Sequence, residues 1–222
     1  MIRFESIAKR YGNGPEVLHD VSFALAPGDF RFITGASGSG KTTLLNLAAL
    51  TDTPSRGSIR LFDRDIGTLN RNDRARLRRR IGMVFQTGRL VDELTIAENI
   101  ALPLHIDHAS PQECRDNVAA LLDWLGLGDK SGVRAEALSG AERLLASLGR
   151  AVVRGPDLLV ADEPTGAGDL ATARVLIEAL EQMAQRGTTV LVATRDVAFA
   201  ERFAHPRSHL TGGILAADGN AP

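Results

Sequence analysis

The chain has 222 residues, 44% of them hydrophobic, a formal net charge of −1 and one cysteine, Cys114. A chain of this size buries about 70% of the surface its unfolded form exposes, enough for one substantial core, and the near-neutral charge argues against a nucleic-acid partner, whose binding needs many phosphate-neutralising cations. One cysteine excludes an internal disulfide and suits a reducing compartment; no apolar run approaches the roughly 18 residues of a spanning helix and the N-terminus lacks a secretory core, so a soluble chain is expected, reaching any membrane through a partner.

In chain order, Ile2 to Ile7 and Val17 to Leu25 read as extended segments, the second alternating through Val21-Ser22-Phe23-Ala24-Leu25 before a turn at Pro27-Gly28. They predict an antiparallel flank. Phe30 to Thr34, Ile81 to Phe85, Leu158 to Ala161 and Thr189 to Ala193 are short apolar runs of the kind buried on both faces of a parallel sheet. A helix-forming stretch, Thr43 to Ala49, follows the first of these. Between Gln86 and Pro156 the pattern turns helical, with start signals at Thr95-x-x-Glu98 and Ser110-Pro111-Gln112-Glu113. This predicts a helical subdomain, approximately residues 87–156, inserted into a single domain spanning residues 1–222. An amphipathic helix from about Ala171 to Arg186 ends at Gly187, a shorter one follows Asp196, Gly212-Gly213 marks a tight turn, and Ala216 to Pro222 reads as a frayed tail.

Gly35-Ala36-Ser37-Gly38-Ser39-Gly40-Lys41-Thr42, between the Phe30 to Thr34 run and the helix, is a complete G-x-x-x-x-G-K-T phosphate-binding loop. Its glycines let the backbone wrap an anion, so that N–H groups and the helix N-terminus face phosphate oxygens. Lys41 suits the β- and γ-phosphates, and the Thr42 hydroxyl suits a bridging Mg²⁺. Leu158 to Ala161 runs into Asp162-Glu163, which places two carboxylates at the sheet edge where nucleotides bind in open α/β folds. Asp162 is the candidate Mg²⁺ holder and Glu163 the candidate general base for water attacking a γ-phosphate.

The ordered set of motifs resembles the ATP-binding subunits of ABC systems over nearly the whole length. On that resemblance Tyr11 matches the aromatic that stacks on adenine, Gln86 the glutamine linking γ-phosphate and Mg²⁺ to the helical subdomain, and Leu138-Ser139-Gly140-Ala141-Glu142 the LSGGQ signature. Asp162-Glu163 matches the second nucleotide motif and Asp169 the acid of the following D-loop. The implied fold is α/β, a P-loop NTPase of the ABC type: a mostly parallel central sheet with an antiparallel β flank and an inserted helical subdomain. The implied ligands are ATP, held by Tyr11, the loop from Gly35 to Thr42, Thr43 and, from a second copy, Ser139 and Gly140, together with Mg²⁺ at Thr42, Gln86 and Asp162. Within the family the opening Met1-Ile2-Arg3-Phe4-Glu5, the run Leu77 to Gln86, and Glu98 to Leu104 resemble the cell-division branch; lipoprotein-release and macrolide-efflux ATPases share much of this wording. That branch implies a homodimer formed on ATP binding, peripheral at the cytoplasmic face of the cell membrane, with an FtsX-like integral membrane subunit docking near Gln86, where Leu90, Leu102, Pro103 and Leu104 are groove candidates or core residues.

Departures from the family pattern fall at catalytic positions. Ala141 replaces the second signature glycine, which leaves Ser139 and Glu142 as an S-x-x-E helix start with weakened phosphate contact. Leu144 and Leu145 replace polar residues, either altering a dimer face or joining Leu148 on a buried stripe. Arg195 stands where the family has histidine, and either clamps the γ-phosphate without exchanging a proton or points into solvent. The D-loop keeps Asp169 but has Ala167-Gly168 for the usual Asn-Leu. Outside these positions, the arginines between Arg71 and Arg80 either face anionic lipid headgroups beside a membrane partner or form a solvated helix face balanced by acids, His205 and His209 make a poor metal pair, and Trp124 reads as packing.

Overall fold

A computed structural model describes residues 1–85, 87–164 and 170–217. The apolar runs become strands. β1 (Ile2–Arg10) and β2 (Glu16–Leu25) pair antiparallel, and with β4 (Arg56–Leu61) and β5 (Arg64–Asp65) they form a four-stranded sheet ordered β2-β1-β4-β5. The central sheet has six strands, ordered β10-β9-β3-β8-β7-β6, from β3 (Phe30–Thr34), β6 (Ile81–Val84), β7 (Leu158–Asp162), β8 (Thr189–Thr194), β9 (Arg207–Thr211) and β10 (Ile214–Ala217). All its pairings are parallel except the β9–β10 hairpin. The tail expected from Ala216 is therefore corrected at its start: Ala216 and Ala217 pair with His209 and Ser208, because Gly212 and Gly213, both at positive φ, fold the chain back.

The period of two decides which core each central residue joins. Phe30, Phe32, Leu159, Ala161, Val190 and Val192 face one cluster, shared with the helices α3 (Ile96–Ile106), α4 (Pro111–Trp124), α5 (Gly140–Val152) and α6 (Leu170–Gln185). Ile33, Leu158, Val160, Leu191 and Ala193 face the other, shared with α1 (Lys41–Ala48) and the antiparallel sheet. With apolar layers on both sides, β7 and β8 are buried throughout. The arginine-rich stretch forms α2 (Arg71–Arg78), and a last short helix, α7 (Val197–Ala200), is capped by Asp196. Thr95 and Ser110 each close the capping box their sequence predicts.

Leu144 and Leu148 are fully buried and Leu145 packs partly against the same core. Burying a leucine contributes about 2 kcal/mol, so the buried-stripe reading explains these residues without a dimer face. Leu90 and Leu104 are likewise core residues, which removes them from the groove candidates; Leu102 and Pro103 are half-buried, and the exposed large apolar side chains nearby are Val91 and Ile106. Arg76, Arg79 and Arg80 meet Asp73, Asp107 and Asp157 respectively. Trp124 packs partly on the core and donates its indole N–H to Gln182. His205 stacks on Phe30 and bonds Glu181, while His209, on β9, lies 2.9 Å from the Thr34 hydroxyl. No helix among the described residues is long and apolar enough to cross a membrane.

Candidate functional site

β3 delivers the chain to the C-terminal edge of the parallel sheet, and the phosphate loop bridges it to α1. Two glycines there answer to space. A Cβ on Gly35 would lie 2.3 Å from the Leu210 carbonyl oxygen, and one on Gly40, at φ 103°, would lie 2.9 Å from a Leu18 methyl and 3.0 Å from the Val17 carbonyl oxygen. Gly40 is also the N-cap of α1, and no side chain caps it. The first-turn N–H groups of α1 are left to face whatever the loop encloses.

Lys41 is 5% exposed and its ammonium has three neighbours: Gly35 O at 2.8 Å, Ala36 O at 2.9 Å and Glu163 Oε1 at 3.4 Å. These match the three donors of an ammonium, so phosphate oxygens entering the loop compete with a carboxylate for the same cation. Thr42 donates its hydroxyl to Asp162 Oδ2 at 2.9 Å. Asp162 Oδ1 is buried with no hydrogen-bond partner. Burial pushes the Asp162 carboxyl above its usual range, and the neighbouring Glu163 adds to that, against the opposing Thr42 hydroxyl and Lys41 charge. An orphaned carboxylate oxygen beside a hydroxyl is a hard oxygen pair, and it fits a Mg²⁺ ion.

Glu163 sits at φ 48°. This left-handed conformation costs a non-glycine residue roughly 1–3 kcal/mol and is over-represented at functional sites. Its amide donates to Ala193 O at 2.8 Å and its Oε2 accepts from the Arg195 amide at 2.9 Å, which turns the carboxylate from β7 toward the end of β8. Ser37, Gly38, Lys41, Thr42, Glu163 and Arg195 line one cavity of about 360 Å³, with Val17 and Thr43. Arg195 is exposed but lies on the cavity wall. Tyr11, half exposed, stands close by with its hydroxyl 3.3 Å from Thr43 Oγ1.

The signature lies elsewhere on the chain. Ser139 is the N-cap of α5, with Glu142 N donating to Ser139 Oγ at 3.3 Å and Ser139 N donating to Glu142 Oε2 at 2.9 Å. Lys130 also pairs with Glu142, and that ion pair, ahead of the Ser139 bonds, lowers the Glu142 carboxyl to about 2. Ser139 and Gly140 are exposed and do not line the loop cavity. Gln86 and the segment Gly166 to Asp169 lie outside the described residues.

Three contributions were not anticipated from sequence. Val17 lines the cavity from β2. Arg150, on α5, donates to Gly88 O at 2.9 Å and Arg89 O at 2.8 Å and so ties the signature helix to the loop that follows Gln86. A part-buried Lys9–Asp52 pair underlies Tyr11. No motif spacing marks any of them.

The parallel sheet, the loop at its edge and two acids on the adjacent strand define a P-loop nucleotide-hydrolysing protein. The sequence matches the ABC transporter family over residues 18–166, and the chain belongs to that family as an ATP-binding, ATP-hydrolysing subunit. It is 40% identical to the cell division ATP-binding protein FtsE of Escherichia coli (strain K12) over 219 residues, covering 96% of this chain and 99% of that one. It is 41% identical over 206 residues to the macrolide export ATP-binding/permease protein MacB of Brucella melitensis, covering 91% of this chain and 32% of that one. Among solved structures, a dimeric post-hydrolysis state of the ATP-binding cassette MJ0796 bound to ADP and Pi superposes with a TM-score of 0.90, 29% identity and full coverage of both chains. The expected fold class is borne out.

Proposed function

We propose that the chain is the FtsE-like ATPase of a membrane-associated complex in bacterial cell division, acting as a homodimer at the cytoplasmic face of the cell membrane on an FtsX-like integral membrane subunit. The observation that carries this reading is the likeness to FtsE over 96% of the chain, joined to a phosphate loop whose Lys41 shares one cavity with Glu163 and Arg195. The domain reading remains a single unit of residues 1–222 with residues 87–156 as its helical subdomain.

In this reading Lys41 holds the β- and γ-phosphates, helped by the open N-terminus of α1, and Tyr11 stacks on adenine. Thr42 and Asp162, with Gln86, hold Mg²⁺, which when bound neutralises charge on the bridging phosphate oxygens. Glu163 takes the proton of the attacking water. Its carboxylate is aimed by the Arg195 amide, and the Arg195 guanidinium meets the γ-phosphate as a fixed cation. Ser139 and Gly140 of a second copy close the site. Ala141 holds that closing wall back, so ATP binds tightly and hydrolyses slowly.

Steady-state phosphate release, measured with the FtsX-like subunit co-reconstituted, tests this. Turnover is expected to be stimulated by that subunit and to rise several-fold in Ala141→Gly. Stimulation by a macrolide-type permease instead would move the chain to export, a reading favoured by the 41% identity to MacB. Wild-type turnover that Ala141→Gly does not change would end the slow-hydrolysis reading.

A further inference from the structure

The register of β1 slips relative to β2 between Phe4 and Ile7 and again up to Arg10, with Ser6 at φ 49°. Such bulges re-aim side chains. Here Ile7, Ala8 and Lys9 are all buried in succession, and Lys9 is only 7% exposed. Its ammonium donates to Asp52 Oδ1 at 2.5 Å and to Thr53 O at 2.8 Å, beyond the C-terminal end of α1. Thr53 N in turn donates to Asp52 Oδ1 at 2.7 Å. Burial opposes ionisation of Asp52, yet the Lys9 ammonium, the Thr53 amide and the Tyr11 hydroxyl together hold its carboxyl below the usual range.

The same ammonium stands 4.7 Å from the centroid of the Tyr11 ring. A cation over the face of a tyrosine contributes about 0.5–2 kcal/mol. The ring is therefore gripped on one face by Lys9 and at its hydroxyl by Thr43, a first-turn residue of α1 that lines the phosphate cavity. Half of Tyr11 remains exposed. An ion pair buried on one side only, like this one, is a weak source of stability compared with apolar packing of the same volume. Its placement instead ties three things together: the end of β1, the end of the phosphate-loop helix, and the one tyrosine of the chain.

From this geometry we infer that Lys9 and Asp52 are positioning residues for base recognition: they act through Tyr11, fixing the plane on which the adenine ring of ATP stacks relative to the phosphate loop. This rests on the reading of Tyr11 as the adenine contact. The pair touches neither phosphate nor water in the reaction. Its loss is felt by ligands that carry a base and not by those that carry phosphates alone.

The experiment compares the affinity of the full chain for ATP with its affinity for inorganic tripolyphosphate, by titration calorimetry, in Lys9→Met, Lys9→Arg, Asp52→Asn, Tyr11→Phe and Tyr11→Ala. Loss of a cation–π contact of the size above corresponds to about 2- to 30-fold in affinity. Lys9→Met and Asp52→Asn are expected to weaken ATP by about that factor, to leave tripolyphosphate unchanged, and to raise KM for ATP while kcat stays within about twofold. Lys9→Arg, which keeps the cation, is expected to recover most of the ATP affinity. If one of Lys9→Met and Asp52→Asn does not fold, the other carries the test, and Tyr11→Phe, which removes only the hydroxyl that bonds Thr43, is expected to weaken ATP alone. A parallel fall for both ligands, or no change for either, would overturn the inference and leave the pair a structural tie. Tyr11→Ala separates the two levels: if it does not weaken ATP relative to tripolyphosphate, the adenine reading of Tyr11 is wrong and the inference falls with it; if it does while Lys9→Met and Asp52→Asn do not, the inference alone fails.

Discussion

The phosphate loop and the signature each open a helix, and the two helix N-termini treat their backbone donors in opposite ways. α1 begins at Gly40, with no side chain capping it. α5 begins at Ser139, whose hydroxyl and the Glu142 carboxylate form a complete reciprocal box. The first is an open anion receptor, with Lys41, Thr42 and Glu163 already converging on it. The second has its Ser139 and Glu142 amides claimed and its charge balanced locally by Lys130. An N-terminus that satisfies itself needs no ligand to be stable, and it gains less when one arrives. Hence the loop half of the site is poised to bind, while the signature half is a finished helix start that a phosphate has to share.

The change that separates the halves most sharply is Glu163→Gln. It removes the candidate base and the carboxylate beside Lys41, yet keeps a side chain of the same shape. Loss of a general base costs about 10²- to 10⁴-fold in rate. Hydrolysis is expected to fall at least about 100-fold while ATP affinity is kept or strengthened, because Lys41 no longer shares its ammonium. Phosphate release and calorimetric titration on one preparation check both halves of the statement. A parallel loss of binding would show that the carboxylate organises the loop, and would erase the contrast drawn between the two helix starts.

Arg195→His has a smaller expected effect and probes how the open half is walled. Arginine stays charged throughout the working pH range, whereas histidine titrates near 6.5. In the wild type, ATPase activity is therefore expected to carry no inflection from this position. The variant is expected to gain an inflection between about pH 6 and 7 and to change in rate by several-fold. Identical pH profiles would place the guanidinium away from the chemistry.

How much of this could be read beforehand follows from burial and periodicity. β7 and β8 were legible because both faces are covered, which leaves a nearly unbroken apolar run, and β3 and β6 kept enough of that signal despite Arg31 and an edge position. The phosphate loop and Asp162-Glu163 were legible because their chemistry demands residue types at fixed spacing. β4 and β9 escaped. Arg56-Gly57-Ser58-Ile59-Arg60-Leu61 and Arg207-Ser208-His209-Leu210-Thr211 bury only alternate residues, so their apolar signal is thin. Arg150 and the Lys9–Asp52 pair escaped for another reason. Each joins segments 43 or more residues apart, Lys9 to Asp52 and Arg150 to the Gly88-Arg89 loop, and no local pattern announces such a partner. The fate of Leu144 and Leu145 was open in the same sense, because a helix written out as letters does not say which of its faces meets the core.

The smallest expected effect tests whether the α5 box is as self-sufficient as its geometry implies. The Glu142 carboxyl lies at about 2 against an ordinary 4.5, first through Lys130 and then through the amide and hydroxyl of Ser139. A depressed carboxyl favours the fold above its unfolded value and loses that contribution as pH falls through the folded one. The stabilisation is thus complete above about pH 4.5 and drains away toward pH 2. Solvent screening at this largely open ion pair limits it to about 0.5–1 kcal/mol. For a chain of this size that is about 1–4 °C in melting temperature. Wild type is expected to melt above Glu142→Gln by that margin at pH 6, with the gap closing as pH drops from 4.5 toward 2 and shrinking in high salt. A gap that keeps its full size as pH falls from 4.5 to 2 would mean the box is held by shape and not by charge. In that case a phosphate approaching Ser139 would meet no carboxylate competing for the helix start, and the contrast with α1 would rest on Ala141 alone.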